Sequence, residues 1–282
     1  MDNRPIGVFD SGLGGLTAVR EILNIMPQEN VVYFGDTGRV PYGTRSRETI
    51  LKYAAQDMAF LRSKDVKLVI AACGTVSSVA GALGDALPVP YTGVVRPTAL
   101  ASCLATRNGK IGVIGTTATI RSGSYRRAIH ALDKHLSVFE QDCPLFVPLV
   151  ENDFYHPDNP VPRLVAERYL APLKQAGVDT LIMGCTHYPL LRETIQQVMG
   201  PQVVLIDSGR ETAACAMELL RKENALCESG ETGRCSFFVS DSTEGFSKAA
   251  SLFLDRDVTD NVSYIDIVEF AEAHAKTTES EA

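Results

Sequence analysis

Short, almost wholly apolar runs alternate with segments of helical period along this chain, a pattern that leaves few folds open. The runs lie at residues 6–9, 31–34, 68–72, 91–95, 111–114, 145–147, 180–183, 203–206 and 235–239. A strand apolar on both faces has no side to show to water, so it reads as part of a parallel sheet covered by helices. Between the runs, residues 16–26 place Leu16, Val19, Ile22, Leu23 and Met26 on one helical face. Residues 45–61, 122–132, 163–176 and 208–221 read the same way. This alternation predicts an α/β protein with doubly wound parallel sheets.

The pattern also repeats. Ile6-Gly7-Val8 opens one half and Ile111-Gly112-Val113 the other, and each leads through a hydroxyl-bearing loop to a strand that ends in cysteine. Those ends read Ala72-Cys73-Gly74-Thr75 and Gly184-Cys185-Thr186-His187. The period far exceeds the roughly 20–50 residues of a solenoid repeat. It predicts two pseudo-symmetric doubly wound domains with a site in the cleft between them; two unrelated sheets with common strand chemistry are the plainer alternative. We place the first domain at 1–96 plus 208–264 and the second at 97–207, with a hinge near residues 95–98 where Pro97 breaks the pattern. The tail, 265–282, is charged at its end and expected to fray.

Open α/β sheets hold ligands where strands give way to loops. Two thiols so placed suggest a matched acid/base pair acting on opposite faces of one small substrate, as inversion of a carbon centre requires. His187, two residues after Cys185, can take a proton from that thiol. A metal site lacks ligands, since there is no C-x-x-C and no H-E-x-x-H. In Asp10-Ser11-Gly12-Leu13-Gly14-Gly15 the glycines admit a ligand to the backbone, although Asp10 and Ser11 could merely cap the following helix. Thr17 stands where a dinucleotide fingerprint needs its third glycine, and only Asp36 imitates the ribose-binding acid. Tyr42, between Pro41 and Gly43, is either a packing lid or a donor of its hydroxyl or flanking amides to a carboxylate. Gly115-Thr116-Thr117-Ala118-Thr119 adds hydroxyls at a third strand end.

The 282 residues suit two domains, and 45% apolar with 22% charged residues is an ordinary globular composition. A net charge of −7 with no basic stripe argues against nucleic acid. Seven cysteines, an odd number, argue against a disulfide framework and for a reducing cytoplasm. Neither a signal peptide nor a membrane helix is expected, because no apolar stretch approaches the roughly 18 residues a span needs.

Taken together, Gly7-Val-Phe-Asp-Ser-Gly-Leu-Gly-Gly-Leu-Thr17, Tyr33-Phe-Gly-Asp-Thr37 with Val40-Pro-Tyr-Gly43, Ile111-Gly-Val-Ile-Gly-Thr116, Cys143-Pro-Leu-Phe-Val-Pro-Leu-Val-Glu151, Gly184-Cys-Thr-His-Tyr-Pro-Leu-Leu191, Ile206-Asp-Ser-Gly209 and Phe237-Phe-Val-Ser-Asp241 resemble the glutamate racemases of the cofactor-independent aspartate/glutamate racemase superfamily. The resemblance implies two α/β domains around a site for a small amino acid, with no cofactor and no metal. It implies that Cys73 and Cys185 are the two bases, that Asp10 tunes the first, and that His187 and Glu151 support the second. Ser11, Tyr42, Gly43, Thr75 and Thr186 match substrate contacts, as do Asp10 and His187. The product would be D-glutamate for peptidoglycan synthesis and hence cell shape, and a homodimer stays open. Racemisation of aspartate, decarboxylation and a binding or regulatory role are the rival readings.

One position departs. The family reads Ala-Cys-Asn-Thr where this chain has Ala72-Cys73-Gly74-Thr75. Gly74 keeps the backbone amide and loses a side-chain amide worth about 1–3 kcal/mol if its partner stays buried and unpaired. Gly74→Asn is therefore expected to raise turnover or affinity, unless the local backbone has adapted to glycine.

Overall fold

The computed structural model describes residues 2–254 and 257–280, apart from the side chains of Leu252 and of residues 275–280. In chain order its strands are β1 (Ile6–Asp10), β2 (Val31–Gly35), β3 (Leu68–Ala71), β4 (Tyr91–Gly93), β5 (Lys110–Gly115), β6 (Ser137–Asp142), β7 (Thr180–Met183), β8 (Val204–Asp207), β9 (Cys235–Val239) and β10 (Val262–Tyr264). They form two sheets, ordered β10-β9-β2-β1-β3-β4 and β6-β5-β7-β8. Every pairing in both sheets is parallel, from Ile6 beside Val31 in the first to Ile111 beside Thr180 in the second. Each sheet with the helices packed on it is called a lobe below.

Every residue of β1, β2, β3 and β7 is buried, as near-continuous apolar strands in a covered parallel sheet must be. The helix Leu16–Ile25 lays Leu16, Val19, Ile22 and Leu23 into the core, the face that its periodicity assigns. The chain passes to the second sheet through the helix Val95–Ala105 and returns through Ser208–Lys222. Pro97 starts no break there. It lies in the first turn of the helix, where a missing N–H costs nothing.

Three local expectations are corrected. Residues 145–147 are not a strand: Phe146–Glu151 is a short helix, and the strand of this region is β6. An edge strand keeps one side open, so Ser-Val-Phe-Glu-Gln-Asp carries polar residues that hide it from a search for apolar runs. β10, another edge strand, escapes for the same reason. The tail does not simply fray, because Ile267–Ser280 is a helix with Ile267 buried and Phe270 set edge-on to Phe60 at 5.4 Å between ring centres. Residues 281 and 282 lie outside the described part.

Phe60 is the centre of this packing, with Phe34 and Phe238 at 5.0 and 5.3 Å on its other sides. Phe60→Ala should lower stability by about 3–5 kcal/mol, since three surrounding rings cannot all collapse into the void. Equilibrium urea unfolding measures the loss, and a change under about 1 kcal/mol would show that the C-terminal helix and β9 do not depend on this ring.

Candidate active site

Parallel strands put all their C-terminal ends on one edge, and the ends of both sheets line one cavity of about 310 Å³. From the first lobe come Asp10, Ser11 and Gly12 after β1, Val40 to Thr44 beyond β2, and Cys73, Gly74 and Thr75 after β3. From the second come Thr116 and Thr117 after β5, Cys143 and Pro144 after β6, and Gly184 to His187 after β7. The helix Phe146–Glu151 adds Val147, Pro148 and Glu151. The cavity wall therefore brings together every residue to which the family resemblance assigns a part, and Gly74 with them: Asp10, Ser11, Tyr42, Gly43, Cys73, Gly74, Thr75, Glu151, Cys185, Thr186 and His187.

The two thiols sit in different surroundings. Cys73 is 5% exposed and its Sγ lies 3.6 Å from Ser11 Oγ. Burial, and after it the Asp10 carboxylate, push its pKa up to about 12. Asp10 is itself buried, and burial raises its pKa above the usual carboxylate range. Its Oδ2 accepts the Gly12 N–H at 2.9 Å, while Oδ1 has no hydrogen-bond partner among the described residues. Cys185 instead lies 3.8 Å from His187 Nδ1, and His187 Nε2 lies 3.1 Å from Glu151 Oε1. Burial disfavours the imidazolium, but the hydrogen bonds to Cys185 and Glu151 outweigh it and bring the His187 pKa up to about 10. A protonated imidazole donates from both nitrogens, which suits this chain of three groups.

The lobes meet closely around the cavity. The Thr17 hydroxyl donates to the Thr186 carbonyl at 3.1 Å, and the Thr75 and Thr116 hydroxyls lie 3.1 Å apart. A Cβ on Gly74 would come within 2.4 Å of the Gly184 carbonyl oxygen, and one on Gly14 within 2.1 Å of Thr186 Oγ1. At these points only glycine lets the backbones approach so far.

Tyr42 settles the choice left open above. Its hydroxyl donates to Asp36 Oδ2 and lies 3.2 Å from Asp57 Oδ2, so it is engaged inside the first lobe. Asp36 is fully buried, held also by Arg39 at 2.6 Å and by the Ser240 hydroxyl at 2.7 Å, which leaves nothing for a ribose. What Tyr42 and Gly43 offer the cavity is backbone and ring.

A family profile described as Asp/Glu/hydantoin racemase matches residues 11–216. The chain belongs to the Asp/Glu/hydantoin racemase family. It is 46% identical to a glutamate racemase of Geobacter metallireducens over 252 residues, covering 89% of this chain and 93% of that one. The fold of a Bacillus anthracis glutamate racemase superposes with a TM-score of 0.90 at 37% identity, covering 94% of this chain and 98% of the other. A Francisella tularensis glutamate racemase, solved in complex with D-glutamate, gives a TM-score of 0.87 at 36% identity over 95% and 99% of the two chains. The chain is accordingly an isomerase. No described helix is long and apolar enough to cross a membrane.

Some wall residues were given no part in the sequence reading. Thr116 and Thr117 lie in the hydroxyl-rich loop noted there, whose signal resembles any solvated turn. Cys143 and Val147 went unassigned because β6 was misplaced; a third cysteine just past an edge strand was the available clue.

The His187 pairing has a measurable consequence. Its pKa in the folded chain lies above the ordinary 6.5, so the linked stabilisation is complete below pH 6.5 and is lost as pH rises through about 10. Glu151→Gln removes the negative charge from one of the two acceptors and should move the imidazole midpoint down from about 10 towards 6.5. Histidine NMR titration reads this directly, and an unchanged midpoint would mean that Glu151 does not hold the proton.

Proposed function

We propose that this enzyme interconverts L- and D-glutamate without a cofactor, with Cys73 and Cys185 as the two bases. The observation that carries the reading is the pair of buried thiols at equivalent strand ends of two sheets, sharing one cavity and each with its own titratable neighbour. The 40–46% identity to glutamate racemases, and a D-glutamate complex among the similar structures, support glutamate as the substrate.

The two environments divide the labour. The His187 imidazolium, backed by Glu151, places a positive charge beside Cys185. Cys73 keeps its proton, with a pKa near 12 beside Asp10. For one enantiomer the Cys185 thiolate takes the α-proton while the Cys73 thiol delivers one to the opposite face. For the other, Asp10 Oδ1 receives the Cys73 proton, the His187 imidazolium gives one to Cys185, and the Cys73 thiolate takes the α-proton while the Cys185 thiol delivers one to the opposite face. The hydroxyls of Ser11, Thr75, Thr117 and Thr186, with the amides around Gly43 and Gly74, hold the α-carboxylate as charge develops on it. Excluding water from the closed cavity strengthens each of these contacts. Among the described residues no group of three or more His, Cys, Asp or Glu side chains is placed to hold a metal ion. The product would feed peptidoglycan synthesis, and the seven free cysteines suit the reducing cytoplasm.

Deuterium uptake at Cα of glutamate in heavy water tests the reading, with aspartate as comparison. Wild type should exchange glutamate with inversion, whereas Cys73→Ser and Cys185→Ser should each abolish interconversion and retain at most exchange from one enantiomer. Near-normal interconversion by either variant, or faster exchange of aspartate, would sink it.

The structure reverses the expectation for Gly74→Asn. The new Cβ would meet the Gly184 carbonyl oxygen at 2.4 Å, and backbone cannot swing aside as a side-chain tip can. Lobe separation or strain of about 1–3 kcal/mol should follow. The kcat/KM for both enantiomers is then expected to drop roughly tenfold or more. A gain in turnover would show that the lobes do not approach this closely in the working enzyme.

A further inference from the structure

A second cavity, about 510 Å³, adjoins the first and shares Gly43, Thr44 and Thr117 with it. Its wall carries four arginines and no carboxylate. Arg45 and Arg47 come from the start of the helix Arg47–Arg62 in the first lobe, and Arg121 and Arg127 from the helices Thr117–Ser122 and Ser124–Leu132 in the second. All four are exposed. Among the described residues none of them has an ion-pair partner, and Arg127 alone makes a side-chain hydrogen bond, to the Ser122 carbonyl at 2.6 Å.

Four guanidinium groups around one hollow, of which Arg47 alone has a carboxylate, Glu48, as an electrostatic neighbour, are not what a chain of net charge −7 shows by default. Like charges packed within about a Debye length of 8–10 Å repel one another, and that cost is removed when an anion sits among them. Planar guanidinium forks match the oxygens of phosphate and carboxylate in pairs. The charge count separates the candidates. An acidic amino acid carries a net charge of −1 and would leave most of the positive charge uncompensated, whereas a chain of linked phosphates matches it. The hollow is also larger than the substrate cavity, 510 against 310 Å³.

We infer that this cavity binds a multivalent anion of the oligophosphate class, gripped by arginines from both lobes at the side of the active site. Such a ligand ties the lobes together next to the substrate cavity, so its binding and that of substrate are coupled.

Isothermal titration of the full chain with inorganic tripolyphosphate at fixed ionic strength tests this. Wild type should show saturable one-to-one binding. Arg45→Gln/Arg47→Gln and Arg121→Gln/Arg127→Gln, each stripping one lobe, should both weaken it at least tenfold. Arg163→Gln, an exposed arginine that pairs with Glu167 away from this cavity, should leave it unchanged. Absence of saturable binding by wild type overturns the inference, as does binding that survives loss of either pair or falls equally in Arg163→Gln. Heat of binding is independent of turnover, so failure of the racemase reading and failure of this one give different results.

Discussion

The closeness with which two sheet edges can face each other governs this site. Gly74 lies so near the Gly184 carbonyl that a methyl group there would press on the backbone of the other lobe, and Gly14 so near the Thr186 and His187 side chains that one there would displace them. With the backbones in contact, Thr17 and Thr75 reach hydrogen-bond partners on the opposite lobe. The remaining space shrinks to a cavity suited to a small substrate and little water. Two side chains as short as cysteine can then act on one carbon from opposite sides. A longer residue at Gly74 would change that distance before it changed any chemistry.

Pseudo-symmetry of the chain stops at the thiols. Cys73 has a carboxylate beside it, which with burial holds it as the thiol, and Cys185 an imidazole backed by a carboxylate. Both neighbours are buried, which makes the difference large: in a low-dielectric surrounding a nearby charge acts with little screening. In the proposed reaction, which runs in both directions, both protonation states are needed, and Asp10 and His187 lie where exchanged protons could rest.

The wall opposite the glycine loop is made stiff by a buried polar cluster. Asp36 and Asp57 face one guanidinium, Arg39, with the Tyr42 hydroxyl between them. Burial first, and then the nearness of Asp36, push the Asp57 pKa well above the ordinary range. Arg39 also stacks over the Tyr53 ring at 4.1 Å. The segment from Val40 to Thr44 is thereby fixed at the cavity mouth, between the substrate space and the arginine-lined hollow.

Local pattern carried far in this chain because a parallel strand covered on both faces must be apolar throughout, and its end must be a loop. That made β1, β3, β5 and β7 legible, and with them Asp10, Cys73 and Cys185 at or just past their ends. It failed at β6 and β10, whose open edges admit polar residues, and at Phe270, whose partner Phe60 is remote in sequence. By itself the sequence determined the strand–helix alternation, the paired thiols and the family resemblance, since all three rest on neighbours along the chain. Only the tertiary structure decided that the Tyr42 hydroxyl is turned inward, that Asp36 is engaged, that Gly74 has no room for a side chain, and that arginines of both lobes surround one hollow. Each of these depends on contacts between distant segments, and no periodicity encodes the separation of two lobes.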